Sequence, residues 1–136
     1  MFFAIKAAIT DPLASEFSFP RQKTMYRGKS IGVGDTIYIF ASESEGGPGL
    51  IAKGRVTLAK AIPLDPSLER QTPRVSVRIK RTQRARRPLG RNELKRYGDW
   101  KDGRPETELN FKFYRQATNK IVGISDSAAG LLEKYF

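Results

Sequence analysis

The segment Thr36–Ala41, TIYIFA, is apolar on both of its faces: Ile37, Ile39 and Ala41 alternate with Tyr38 and Phe40. A strand of that kind has no side to give to water, so it belongs in a sheet that is closed on itself or covered by a second layer. A second segment sets the opposite condition. Arg74–Arg81 keeps strict period two, with Val75, Val77 and Ile79 on one side and Arg74, Ser76, Arg78 and Lys80 on the other. It predicts a strand with one core face and one wet, basic face.

Around these two anchors the chain reads as short strands separated by turn formers. Phe2–Ile9 is a candidate first strand ending at the Asp11-Pro12 turn. Residues 13–30 stay unassigned, with Phe17 and Phe19 anchoring a loop on the core and Pro20 limiting any helix. The loop SESEGGPG, 42–49, joins Thr36–Ala41 to a strand over Leu50–Leu58 as an antiparallel hairpin, and Gly54 allows a bulge or a close backbone approach. Pro63, Pro66 and Pro73 break the next section. A short helix is expected over Arg91–Tyr97, a polar loop over Asp99–Pro105, and two strands, Phe111–Arg115 and Lys120–Ile124, around a turn at Ala117-Thr118-Asn119. Ser125 can cap a last helix with Asp126 in its first turn and Ala128, Leu131, Leu132 and Tyr135 on one apolar face. The expected fold is mainly β with flanking helices (α+β), a small barrel of five or six strands. It forms a single domain over 1–136, with residues 82–105 as a basic insertion or loop.

Charge is the main pointer to a partner. Between Arg70 and Arg104 lie thirteen Lys or Arg residues and three acids, Glu93, Asp99 and Asp102, which is +10 of the chain's net +11. The core of this stretch, Arg78, Lys80, Arg81, Arg84, Arg86, Arg87 and Arg91, contains no acid. Arginine predominates, and its planar fork suits phosphate oxygens. A single-sign surface of this density points to a polyanion, with nucleic acid first and an acidic protein partner as a further possibility.

The 136 residues include no cysteine and no histidine. That removes disulfides, thiol nucleophiles, Cys or His zinc sites and imidazole bases, and no cofactor is expected. The opening MFFAIKAAI reads as a strand rather than a signal peptide, and the basic stretch lacks the apolar face that membrane insertion needs. A cytoplasmic protein with no membrane partner is the expectation.

A second basic group, KTMYRGK, brings Lys23, Thr24, Tyr26, Arg27 and Lys29 together, either as a phosphate-contacting site or as a solvated loop. The string RGKS lacks the glycine and the leading strand of a phosphate-binding loop. Tyr97 and Trp100 are candidate stacking platforms for an unstacked base, Trp100 equally a plug at the barrel end. Phe40 and Tyr38 read as core, with Ser42 at the mouth of any pocket on that strand. Glu43 and Glu45 read as solvent-exposed loop acids.

FFAIK, then IGVGDTIYIFAS, then GLIAKGRV, with KTMYR before the second of these, resemble the PUA-like superfamily, in particular its EVE and ASCH branches. The resemblance implies a small pseudobarrel with a pocket between the first and second strands, and Lys6, Phe40 and Ser42 as pocket residues for a base. Where EVE domains carry Lys-Ser-Glu-Pro this chain has Lys6-Ala7-Ala8-Ile9. The ASCH side of the resemblance implies hydrolysis of RNA or an acylated nucleoside through Lys23 and Thr24, with Glu69 or Glu93 as the third group. The leading expectation is a non-enzymatic nucleic-acid-binding module, DNA or RNA. Its pocket near Lys6, Arg27 and Phe40 would hold a base while Arg74–Arg91 grip phosphates.

Overall fold

The computed structural model describes every residue except 117 and 118. Six strands close into a barrel: β1 (Phe2–Ala7), β2 (Glu16–Met25), β3 (Thr36–Ala41), β4 (Gly49–Ala61), β5 (Arg74–Arg84) and β6 (Lys120–Ile124). Their order around the ring is β1-β3-β4-β5-β2-β6, with β1/β3 and β2/β6 parallel and the other pairs antiparallel. Three helices, α1 (Arg91–Leu94), α2 (Pro105–Phe111) and α3 (Asp126–Glu133), pack outside it, and a π-helical turn (Lys112–Gln116) follows α2. The mainly β pseudobarrel with flanking helices is the architecture found.

The two-faced apolar strand now has its explanation. Ile37 and Ile39 join Phe3, Ile5, Val56, Val77 and Ile79 inside the barrel. Tyr38 and Phe40 face outward into a second core built with Leu94, Leu109, Phe113 and Leu132 from the helical layer. The helices therefore cover β6, β1 and β3. β5 lies three strands from β1 in either direction around the ring, and its outer face, Arg74, Arg78 and Lys80, stays exposed. At Gly54 the β4/β5 register shifts, and a Cβ there would stand 2.5 Å from the Lys80 carbonyl, so only glycine permits the bulge.

Two expectations are corrected. The segment left unassigned at 13–30 contains the ten-residue strand β2. Phe17 and Phe19 are not loop anchors but inward-facing strand residues, their rings stacked at 6.5 Å. The ladder breaks between Phe19 and Gln22, where Arg21 adopts φ 51°, and this irregularity admits Pro20 without loss of the strand. Phe111–Arg115 is not a strand. Pro105 at the first helical position and Glu106 and Glu108 in the first turn start α2, and Leu109 and Phe113 then meet the core at helical spacing. The turn expected at 117–119 falls partly outside the described residues.

The last helix is capped as its sequence predicts: the Ser125 hydroxyl accepts from the Ala128 N–H at 3.1 Å. Glu108 locks α2 to this cap, accepting from the Ser125 N–H (2.8 Å) and hydroxyl and from Lys112 Nζ (3.0 Å). Burial pushes its pKa up, yet these donors outweigh that and hold the carboxyl below its ordinary value. After β5 the chain passes the C-terminal end of α3, where the Arg86 N–H bonds the Tyr135 carbonyl at 2.7 Å, and Leu89 is buried.

Candidate nucleic-acid interface

In β1, Phe3, Ile5 and Ala7 point into the barrel, so Ala4 and Lys6 point outward beneath the helical layer. Lys6 is consequently only 6% exposed. Its ammonium lies 4.4 Å from the centre of the Tyr114 ring and has no hydrogen-bond partner among the described residues. Burial lowers the Lys6 pKa; the nearby Glu43 carboxylate opposes that shift and Arg91 adds to it.

Glu43 is the acceptor of this site. It sits in the short turn Glu43–Glu45 after β3, takes the Tyr114 hydroxyl on both carboxylate oxygens (2.8 and 3.0 Å) and accepts the Arg91 N–H at 2.6 Å. A Cβ on Gly90 would come within 2.6 Å of the Glu43 carboxylate, so glycine there leaves room for it. Burial, then the Glu43 carboxylate, push the Tyr114 hydroxyl well above its usual range, which keeps it a donor. Ser42, also buried, bonds the Ala7 carbonyl through its N–H (2.8 Å) and Ser44 through its hydroxyl (2.9 Å). One end of the barrel thus collects the ammonium of a largely buried lysine, a carboxylate, a hydroxyl and an aromatic face. That set can read donors and acceptors on the edge of a planar base.

Sequence reasoning placed Glu43 in solvent and did not single out Tyr114. The two are 71 positions apart and no local pattern joins them. Glu45 is exposed, as expected for that loop. Among the described residues no group of three His, Cys, Asp or Glu is arranged to hold a metal.

The other named residues are distributed as follows. Phe40 lies opposite Lys6 in the β1/β3 register but is sealed beneath Phe113, ring centres 4.9 Å apart. Arg27, at φ 66°, and Lys29 are exposed on the turn after β2. Lys23 and Thr24 point to opposite sides of β2: Lys23 is exposed, while Thr24 is buried with its hydroxyl donating to the Pro73 carbonyl at 2.8 Å. Glu69 is exposed in the loop after β4, and Glu93 accepts from the Gly90 N–H at 2.8 Å. Trp100, 40% exposed, packs edge-on against Phe111 with Arg115 over its ring.

The arginine run does not stay on one side. Arg78 and Lys80 occupy the bare outer face of β5. Arg81 turns back to bond the Leu13 and Ala14 carbonyls at 2.7 and 2.9 Å. Arg87 bonds the Lys134 carbonyl at the end of α3 and stacks on Tyr135. Arg84 and Arg86 are exposed along a groove of about 590 Å³ that also includes Pro48, Leu50 and Pro88. Arg91 is exposed, and its backbone N–H donates to Glu43. Among the described residues the only side-chain cations within 4 Å of a carboxylate are Lys53, Arg104 and Lys112, so none of the run from Arg78 to Arg91 is neutralised by an ion pair.

No protein-family model matches the sequence, and no curated protein is similar to it in sequence. Solved structures share its fold. The DUF55 domain of human thymocyte nuclear protein 1 superposes with a TM-score of 0.65 at 15% identity, covering 98% of this chain and 97% of that one. The human THYN1 protein, solved in complex with 5-methylcytosine-containing DNA, gives 0.61 at 13% identity, with 98% and 96% covered. A Pseudomonas putida protein gives 0.64 at 16% identity over 99% of both chains. The pseudobarrel anticipated from the EVE and ASCH resemblance is therefore the fold of this chain.

Proposed function

We propose that this protein binds nucleic acid and reads a single base at the site of Lys6, Ser42, Glu43 and Tyr114, with Arg84, Arg86 and Arg91 holding the flanking phosphates. The observation that carries the reading is the placement of the largely buried Lys6 side chain, its ammonium against the Tyr114 ring and near the Glu43 carboxylate, whose side-chain partner is the phenol of Tyr114. Burial disfavours the charged form of Lys6, and a ligand acceptor at the ammonium favours it. A base edge offering an acceptor to Lys6 and a donor to Glu43 supplies both, taking the place of the Tyr114 contacts. The complex of the similarly folded human protein with 5-methylcytosine-containing DNA supports the same ligand class.

Lys6, only 6% exposed beneath the helical layer, is out of reach of a base inside a duplex, so the target must be unpaired or turned out of its stack, at a few kcal/mol that the flanking phosphate contacts offset. The groove of Arg84 and Arg86 has Pro88 in its lining, and a few residues further along the chain the Arg91 backbone N–H is bonded to Glu43.

Fluorescence titration of short oligonucleotides at low salt tests this. Native protein should bind and should prefer one base, 5-methylcytosine being the first to try. Lys6→Met should erase that preference, and joint reversal of Arg84, Arg86 and Arg91 to Glu should weaken binding at least tenfold. Absence of binding by the native protein at low salt would refute the reading.

A further inference from the structure

We infer that the bare side of the barrel, the outer face of β2, β5 and β4, is a second phosphate-backbone site that holds a nucleic-acid segment separate from the one read at Lys6. Ring order makes the two sites independent. Lys6 is on β1, and β5 is the strand diametrically across the barrel, so a segment seated over Lys6 and Tyr114 leaves Arg74, Arg78 and Lys80 untouched.

The strand register shows that this face is built for an anion. It sets Lys23 opposite Arg74, Arg55 opposite Lys80, and Lys23 opposite Lys120. Like charges directly opposed across a ladder are destabilising, and no carboxylate forms an ion pair with any of them among the described residues. Glu16, in register with Lys80, is the acid on β2's share of this face. At one end the face opens into a cleft of about 350 Å³ whose lining includes Arg21, Lys23, Arg70 and Arg74. The cleft's one acid, Asp65, is occupied by the N–H and hydroxyl of Ser67.

The cleft is also held in shape. Arg21, non-glycine at φ 51°, is fixed there by the Ser76 hydroxyl on its N–H and by Arg74 Nη1 on its carbonyl, both at 2.9 Å. Backbone strain kept in place by such bonds is a mark of functional sites. Arg74, Arg78 and Lys80 then extend from the cleft along about 20 Å of strand. That length suits a polymer backbone rather than a lone phosphate. A charged centre is also unlike a protein–protein contact, whose core is depleted of charge.

The test is bridging. A duplex fixed to a surface is saturated with protein, washed, and offered a second, fluorescent duplex at low salt. Native protein should capture it. Joint reversal of Lys23, Arg78 and Lys80 to Glu should reduce capture at least tenfold while changing binding to the first duplex no more than about twofold. Neutral replacement of the same three by Gln should also lose capture and, by removing repulsion, should melt no lower than native protein, so misfolding is separated from loss of the site. If base preference fails while bridging and its loss in the triple variants persist, the bare face stands without the reading at Lys6. Capture unchanged in both triple variants would overturn the inference. So would polyglutamate displacing the second duplex as effectively as polyphosphate of equal charge.

Discussion

The two sides of this barrel treat charge in opposite ways. On the covered side, polar groups that enter the layer between strands and helices are mostly matched: Glu108 with Ser125 and Lys112, Tyr38 and Lys53 with Glu133, Tyr114 with Glu43. On the bare side the register sets like charges face to face without an ion pair. Burial makes an unmatched polar group expensive, whereas water screens exposed repulsion, so only the bare side tolerates it cheaply. Two groups depart from this pattern: the buried Thr107 hydroxyl on α2, which has no hydrogen-bond partner among the described residues, and Lys6, whose ammonium meets the Tyr114 ring rather than an ion-pair partner.

The covered side depends most on its apolar contacts. Phe113 seals Phe40 and joins the π-helical turn after α2 to β3, so Phe113→Ala should lose about 3–5 kcal/mol in urea unfolding. A loss below ~1 kcal/mol would show that the helical layer contributes little to the fold. Next comes Glu108→Gln, expected to lose about 1–3 kcal/mol at neutral pH. The sign with pH follows from its lowered pKa. Its contribution is present above the ordinary value of 4.5 and disappears as pH falls through the lower, folded value. The gap between native and variant protein should therefore close in acid; a gap constant down to pH 2 would assign it to packing.

How much of this could be read in advance depends on whether the signal was local. TIYIFA and RVSVRIK carry their exposure in their own alternation, so the barrel and its bare basic side were legible. β2 was not, because Pro20 and the left-handed Arg21 interrupt its alternation. α2 was not, because FKFYR imitates a strand while the residues that make it helical lie upstream. Lys6 and Ser42 could be named from resemblance. Their neighbours Glu43 and Tyr114 could not, since only the folded chain brings a turn after β3 against the π-helical turn after α2.

Lys6→Met sharpens the comparison from inside. Exchanging the ammonium, whose charged form burial disfavours, for a thioether of similar shape should raise stability by on the order of 1 kcal/mol at neutral pH, while base preference is lost. The folded-state pKa of Lys6 lies below 10.5. At pH below that folded value both states carry the proton and the variant's advantage is full. Between the folded value and 10.5 the unfolded chain binds more protons, so native stability rises with pH and the advantage shrinks. Thermal melts across that range check it. A variant less stable than native protein would mean that the ammonium over Tyr114 is favourable as it stands, and the site would lose its reason for a ligand.

The smallest effect tests the other side. Lys23 faces Arg74 and Lys120 in the ladder, is exposed, and makes no side-chain hydrogen bond among the described residues. Lys23→Gln should stabilise the fold by about 0.2–1 kcal/mol at low salt, the scale of an opposed pair. In 1 M salt, where screening acts over about 3 Å, the gain should vanish. Phosphate polymers should stabilise native protein more than the variant, because the ligand relieves a repulsion that the variant no longer has. Melts of the two proteins that coincide at every salt concentration would mean that the opposed cations are already relaxed into water. The bare face would then be an ordinary solvated surface rather than one held ready for a polyanion.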